Sequence, residues 1–121
     1  MEILDMKCAE YGNNIALIPN INEALITRSL GVLQEDGIYA FFLYLASRGS
    51  KEKIIGEAMC QKSFALLKNI EALKSILGNG DEILPAIRNM ATNLDAILFA
   101  KELLERTLVY ARYHAKALGG E

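Results

Sequence analysis

Apolar side chains along this chain recur mostly at steps of three and four residues, the pitch of a helix that buries one face. The clearest run is Ile55, Met59, Ser63, Leu66, Ile70, Leu73 and Leu77, a seam along residues 51–77. A second run is Ile97, Ala100, Leu104, Leu108, Ala111, Ala115 and Leu118. At about 100° per residue these seven share one stripe. They predict a helix from Thr92 or Asn93 to Leu118. Leu25, Ile26, Ser29, Val32 and Leu33 make the stripe of a helix over about 22–35. Residues 2–18 carry Ile3, Leu4, Met6, Cys8, Ala9, Ile15, Ala16, Leu17 and Ile18, a helix with an imperfect face. Gly12-Asn13-Asn14 weakens it and Pro19 ends it. Residues 38–48, IYAFFLYLASR, are apolar nearly all round, which predicts a central helix buried on several sides. A short helix near 81–91 carries Pro85 after its first turn.

The punctuation between these runs is consistent with helices. Asn20 or Asn22 can cap the helix that follows, because a short side-chain acceptor satisfies a free amide there. Asp36-Gly37 could mark a hairpin, but no alternating strand precedes it, so glycine as a helix stop is the better reading. Ser50 is placed to cap the long segment 51–77, whose length predicts a break or bend somewhere within it. Gly78-Asn79-Gly80 and Gly119-Gly120 are stops. No stretch alternates as a strand, and no repeat or linker divides residues 1–121. The expectation is one all-α domain, a bundle of about five or six helices with a long C-terminal helix.

Composition narrows this reading. The chain has 121 residues, 52% apolar and 23% charged, enough for a real core. Thirteen basic and fifteen acidic residues leave a net charge of −2. Phosphate neutralisation supplies most of the affinity of a freestanding nucleic-acid binder, so this balance argues against tight independent binding. It leaves room for a local basic patch used inside a larger assembly. Cys8 and Cys60 form no C-x-x-C motif and read as reduced thiols. MEILDMKCAEYG lacks the apolar core of a signal peptide, and IYAFFLYLA is about half a membrane span. These features predict a cytoplasmic protein with no membrane association.

Little in the chain carries chemistry. His114 is the only histidine, no G-x-S-x-G elbow occurs, and two scattered cysteines cannot complete a zinc set. No catalytic residue, metal or cofactor is expected. Two basic groups stand out. Arg48, Lys51 and Lys53 gather where a helix begins, and free amides there favour an anion. A plain solvated turn would look the same. In LVYARYHAKAL, residues 108–118, Arg112 and Lys116 lie on one flank of the stripe, with Lys101 and Glu105. Tyr110 and His114 lie on the other, with Leu103. Cations near a helix C-terminus are favourable in themselves, so a phosphate contact is one of two explanations for Arg112 and Lys116.

Two blocks extend the picture. LITRSLGVLQEDGIYAFFLYLASRGSK, residues 25–51, has an amphipathic helix with Arg-Ser-Leu, an acidic-Gly break, and a buried helix ending in a small-residue turn and a lysine. LDAILFAKELLERTLVYARYHAKAL, residues 94–118, ends in aromatic, arginine, aromatic and alanine residues. Together they resemble the small helical subunit of type III-B CRISPR ribonucleoprotein complexes, the Cmr complexes. The resemblance covers somewhat under half the chain and rests on patterns of size and polarity. It implies a non-enzymatic subunit whose copies stack head to tail along a crRNA-bearing backbone. They would help hold target RNA in a basic channel, with cleavage left to other subunits. By resemblance Arg28, Arg112 and Lys116 are RNA-contacting positions. Arg48, Lys51 and Lys53 join them from the helix-start argument. The net acidic charge departs from a basic role and requires the charges to be segregated. The alternatives are a helical protein–protein module using an exposed part of the Phe41–Phe42–Tyr44 surface, or a small enzyme built on His114 or a carboxylate pair.

Overall fold

The computed structural model describes residues 3–119. Within them the chain is helical, with no strand. The helices are α1 (Leu4–Ala16), α2 (Glu23–Asp36), α3 (Ile38–Ala46), α4 (Lys53–Lys68), α5 (Glu71–Leu77), α6 (Ile83–Met90) and α7 (Leu94–Ala117). Glu2 and Gly120, at the edges of the expected first and last segments, lie outside the described residues.

Local chemistry sets most of the boundaries. Asn22, not Asn20, caps α2, its side-chain oxygen accepting from Leu25 N–H at 2.8 Å. Asn93 caps α7 in the same way, accepting from Ala96 N–H at 3.1 Å. Gly37 sits at φ 99°, in the region that favours glycine, and turns the chain from α2 directly into α3. Asp36-Gly37 is therefore a helix stop.

Two expectations are corrected. Ser50 does not cap the long segment. Residues 49–52 form a turn closed by Glu52 N–H to the Gly49 carbonyl at 2.9 Å, and α4 starts after Glu52. The segment then breaks at Asn69 and Ile70, giving α4 and α5 and raising the described count to seven helices rather than five or six. α1 holds the break open. Lys7 Nζ donates to the Asn69 carbonyl at 2.8 Å, and Asn69 Nδ2 donates to the Tyr11 hydroxyl at 2.6 Å. Every member of the Ile55–Leu77 seam is nonetheless buried.

Packing follows the stripes. Phe41, Phe42 and Leu45 of α3 are fully buried between α2, α4 and α6. Phe42 meets Phe41 and Phe64 edge to face, at 5.1 and 6.5 Å between ring centroids. Two of the three aromatics proposed for a partner groove are thus core, and of that trio only Tyr44 reaches the surface. α7 buries Ala100, Leu104, Leu108 and Ala111 as its stripe predicts, while Leu118 has left the core. Leu103 and Thr107, beside the stripe, are also buried, because α1 lies along that flank. Gly12 is the point of closest approach: a Cβ there would stand 2.7 Å from the Thr107 carbonyl oxygen and from Tyr110 Cβ. Cys8 reaches the Leu103 carbonyl one turn earlier on both helices, so α1 and α7 run in the same direction. No described helix is long and apolar enough to cross a membrane.

Candidate nucleic-acid interface

Tyr44 lies in the last turn of α3, and Arg48 lies four residues on, just past the Ser47 C-cap. The Arg48 Nε–H donates to the Tyr44 carbonyl at 2.9 Å. This folds the guanidinium back over the Tyr44 ring, 3.7 Å from its centroid. Arg28 arrives from α2. Its Nη1 donates to the Tyr44 hydroxyl at 3.3 Å and its Nη2 to Glu52 Oε2 at 2.9 Å. The second Glu52 oxygen lies 4.0 Å from Arg48 Nη1. Glu52 is the N-cap residue of α4, yet its side chain makes no capping bond; the arginines hold it instead. That hydrogen bond to Glu52 is the chief reason the Arg28 guanidinium binds its proton more firmly than an ordinary arginine.

Gly56 is what lets these parts meet. A Cβ there would overlap the Leu45 carbonyl oxygen and crowd the Arg48 stem, so only glycine allows α4 this close to the end of α3. Lys51 and Lys53 are exposed on either side of Glu52. The result is two arginines, one bridging carboxylate and an aromatic ring in contact, with the exposed Lys51 and Lys53 adjoining the carboxylate in the chain. The side chains of Arg28, Arg48 and Glu52 are 49%, 22% and 27% exposed, so the arginines are ordered but within reach of a ligand. The patch has a limit. Beyond Tyr44 an open groove of about 570 Å³ is lined by Arg28, Gly31, Val32 and Gln34, and by the carboxylates Glu35 and Asp36.

Of the six basic positions singled out from the sequence, Arg28 and Arg48 therefore meet at Tyr44 and Glu52, and Lys51 and Lys53 adjoin Glu52 in the chain. Arg112 and Lys116 belong to a different element, α7. They lie on the last turns of α7, Arg112 half-buried and Lys116 exposed. No hydrogen bond or ion pair among the described residues ties either to the Tyr44 cluster or to a carboxylate. Sequence reasoning missed Tyr44 as a stacking platform and Glu52 as the bridge. The spacing Tyr44–Arg48–Glu52, four residues each, was the available signal.

No protein-family model matches the chain, and no curated protein or solved structure matches it.

The remaining reactive groups are quiet. Burial is the main reason both thiols are hard to ionise, with Cys60 pushed up to about 12. Cys60 Sγ points at the Phe42 carbonyl and Cys8 Sγ at the Leu103 carbonyl. Among the described residues no group of three or more His, Cys, Asp or Glu could hold a metal ion. Tyr110, on the flank of α7 away from Arg112, gives its hydroxyl to Asp5 at 2.8 Å and so serves the α1–α7 joint.

Proposed function

We propose that this chain is a non-catalytic small subunit of a type III-B CRISPR ribonucleoprotein (Cmr) effector complex in the cytoplasm. In it, copies stack along the crRNA-bearing backbone and help hold target RNA. The observation that carries the reading is the convergence of Arg28 and Arg48 on Tyr44, with Lys51 and Lys53 alongside. Guanidinium and ammonium groups suit phosphates, and neither depends on base sequence. Both resemblance blocks supply parts: residues 25–51 build α2, α3 and the start of the cluster, and residues 94–118 form α7 with Arg112 and Lys116. The overall charge of −2 fits a subunit that binds weakly alone and gains affinity from neighbours.

The test is a variant with Arg28, Lys51, Lys53 and Arg112 replaced by alanine, placed in the assembled complex. Target-RNA affinity should fall by roughly tenfold or more, with assembly and subunit fold intact, when measured by filter binding. Unchanged affinity in a correctly assembled complex would refute the assignment.

A helical protein–protein module is favoured by a different observation. Leu94 and Leu98, one turn apart on α7, are 70% and 55% exposed. Recovery from native lysate separates the readings. CRISPR-associated proteins together with RNA support the first, and a single unrelated protein supports the second.

A further inference from the structure

We infer that Arg28, Arg48 and Tyr44 form a seat for one phosphate group, and that the Glu52 carboxylate fills this seat until a phosphate displaces it. The inference rests on the RNA-binding reading for the source of that phosphate, a backbone phosphodiester.

The geometry is that of an anion already bound. One Glu52 oxygen takes Arg28 Nη2 at 2.9 Å, while the other stands off Arg48 Nη1 at 4.0 Å. A carboxylate at this position satisfies one arginine well and the other poorly. A phosphate is larger and offers more acceptor oxygens, so it can engage both guanidiniums together. The Tyr44 hydroxyl accepts from Arg28, which leaves its own hydrogen to give to an anion. Arg48 is already aimed, because its Nε bond and its stacking on the ring fix the guanidinium plane. The Glu52 side chain makes no bond to the α4 amides, so its departure breaks no cap. Lys51 and Lys53, the exposed chain neighbours of Glu52, add positive charge that draws an anion.

Glu52 then acts as a competitor built into the chain. It keeps a lone subunit's grip weak and restricts firm binding to places where several copies face one strand.

The test uses the full chain, a labelled single-stranded oligouridine RNA of about 20 nucleotides, and fluorescence anisotropy. Glu52→Gln is compared with the native chain and with Glu10→Gln, which removes the same charge from the exposed side of α1. At about 50 mM KCl, Glu52→Gln should bind at least about fivefold more tightly than either, with a salt slope steeper by about 0.7 for each phosphate gained. Adding Arg48→Ala to that variant should remove the gain. The inference fails if Glu52→Gln behaves like Glu10→Gln, or if the gain survives Arg48→Ala. Circular dichroism melts check the fold. Should Glu52→Gln not fold, Glu52→Asp serves, because its shorter arm cannot span both guanidiniums; native-like affinity there also overturns the inference. If Arg112→Ala and Lys116→Ala weaken RNA binding while Glu52→Gln changes nothing, the seat fails and the RNA reading stands. If no form binds RNA but inorganic phosphate binds Glu52→Gln more tightly than the native chain, the seat stands and the RNA reading fails.

Discussion

Cys60 is buried between α3 and α4 with its thiol against the Phe42 carbonyl, and burial raises its pKa from 9.0 to about 12. In the unfolded chain it ionises near its ordinary value. Between those values the folded state keeps a proton that the unfolded state releases. The stability this contributes is complete below about pH 9 and is lost as pH rises toward 12. Cys8 shifts in the same direction. The urea midpoint of the native chain should therefore fall more steeply from about pH 8.5 to 10.5 than that of Cys60→Ala. Parallel curves would show that the Cys60 thiol ionises as readily in the folded chain as in the unfolded one. At this scale the sequence was readable by size. Ser29, Ser63 and Thr107 occupy fully buried positions because they are small. The Ser29 and Thr107 hydroxyls donate back to Leu25 and Leu103 carbonyls, at 2.6 and 2.8 Å. The Ser63 hydroxyl is buried without a partner among the described residues. We have no physical account of that.

Between elements, two glycines with the same letter do opposite work. Gly31 lies in α2 with open space where a Cβ would be, whereas Gly56 lies where α4 meets the end of α3. Gly31→Ala should stabilise the fold by about 0.5–1 kcal/mol, through better helix propensity and a less flexible unfolded chain. Gly56→Ala should destabilise it by about 1–3 kcal/mol, since backbone must move to admit the methyl group. Urea unfolding of both variants checks this, and shifts of the same sign would contradict the packing. The sequence shows where helices start and stop when the cause is local, as at Asn22, Gly37 and Asn93. It could not place the α4–α5 break. The seam keeps its three-and-four step through Ile70, and the bonds at Asn69 come from Lys7 and Tyr11, 62 and 58 residues away. For the same reason Arg28 and Glu52, 24 residues apart, could not be paired by spacing.

For the whole molecule, charge and core act separately. The ion pairs lie at the surface, so each contributes about 0–1 kcal/mol. Raising KCl from about 0.1 to 1 M should change unfolding free energy by no more than about 1–2 kcal/mol. The same change should abolish RNA binding if phosphates are the ligand. Denaturant titrations and anisotropy at matched salt concentrations would test both halves. A large loss of stability would mean the cationic surface is structural. The fold class and the long last helix were legible from the stripes, whereas the meeting of Arg28 with Tyr44 and Glu52 needed the three-dimensional path of α2 past the α3–α4 turn. The widest joint in the molecule, between α1 and α7, has a further consequence. On a translating ribosome α1 emerges well before α7, so Cys8 and Gly12 lack the wall they pack on until most of the chain has been made. Folding must then finish late, and a nascent chain stalled before α7 would show the quality-control machinery an oily, half-dressed first helix.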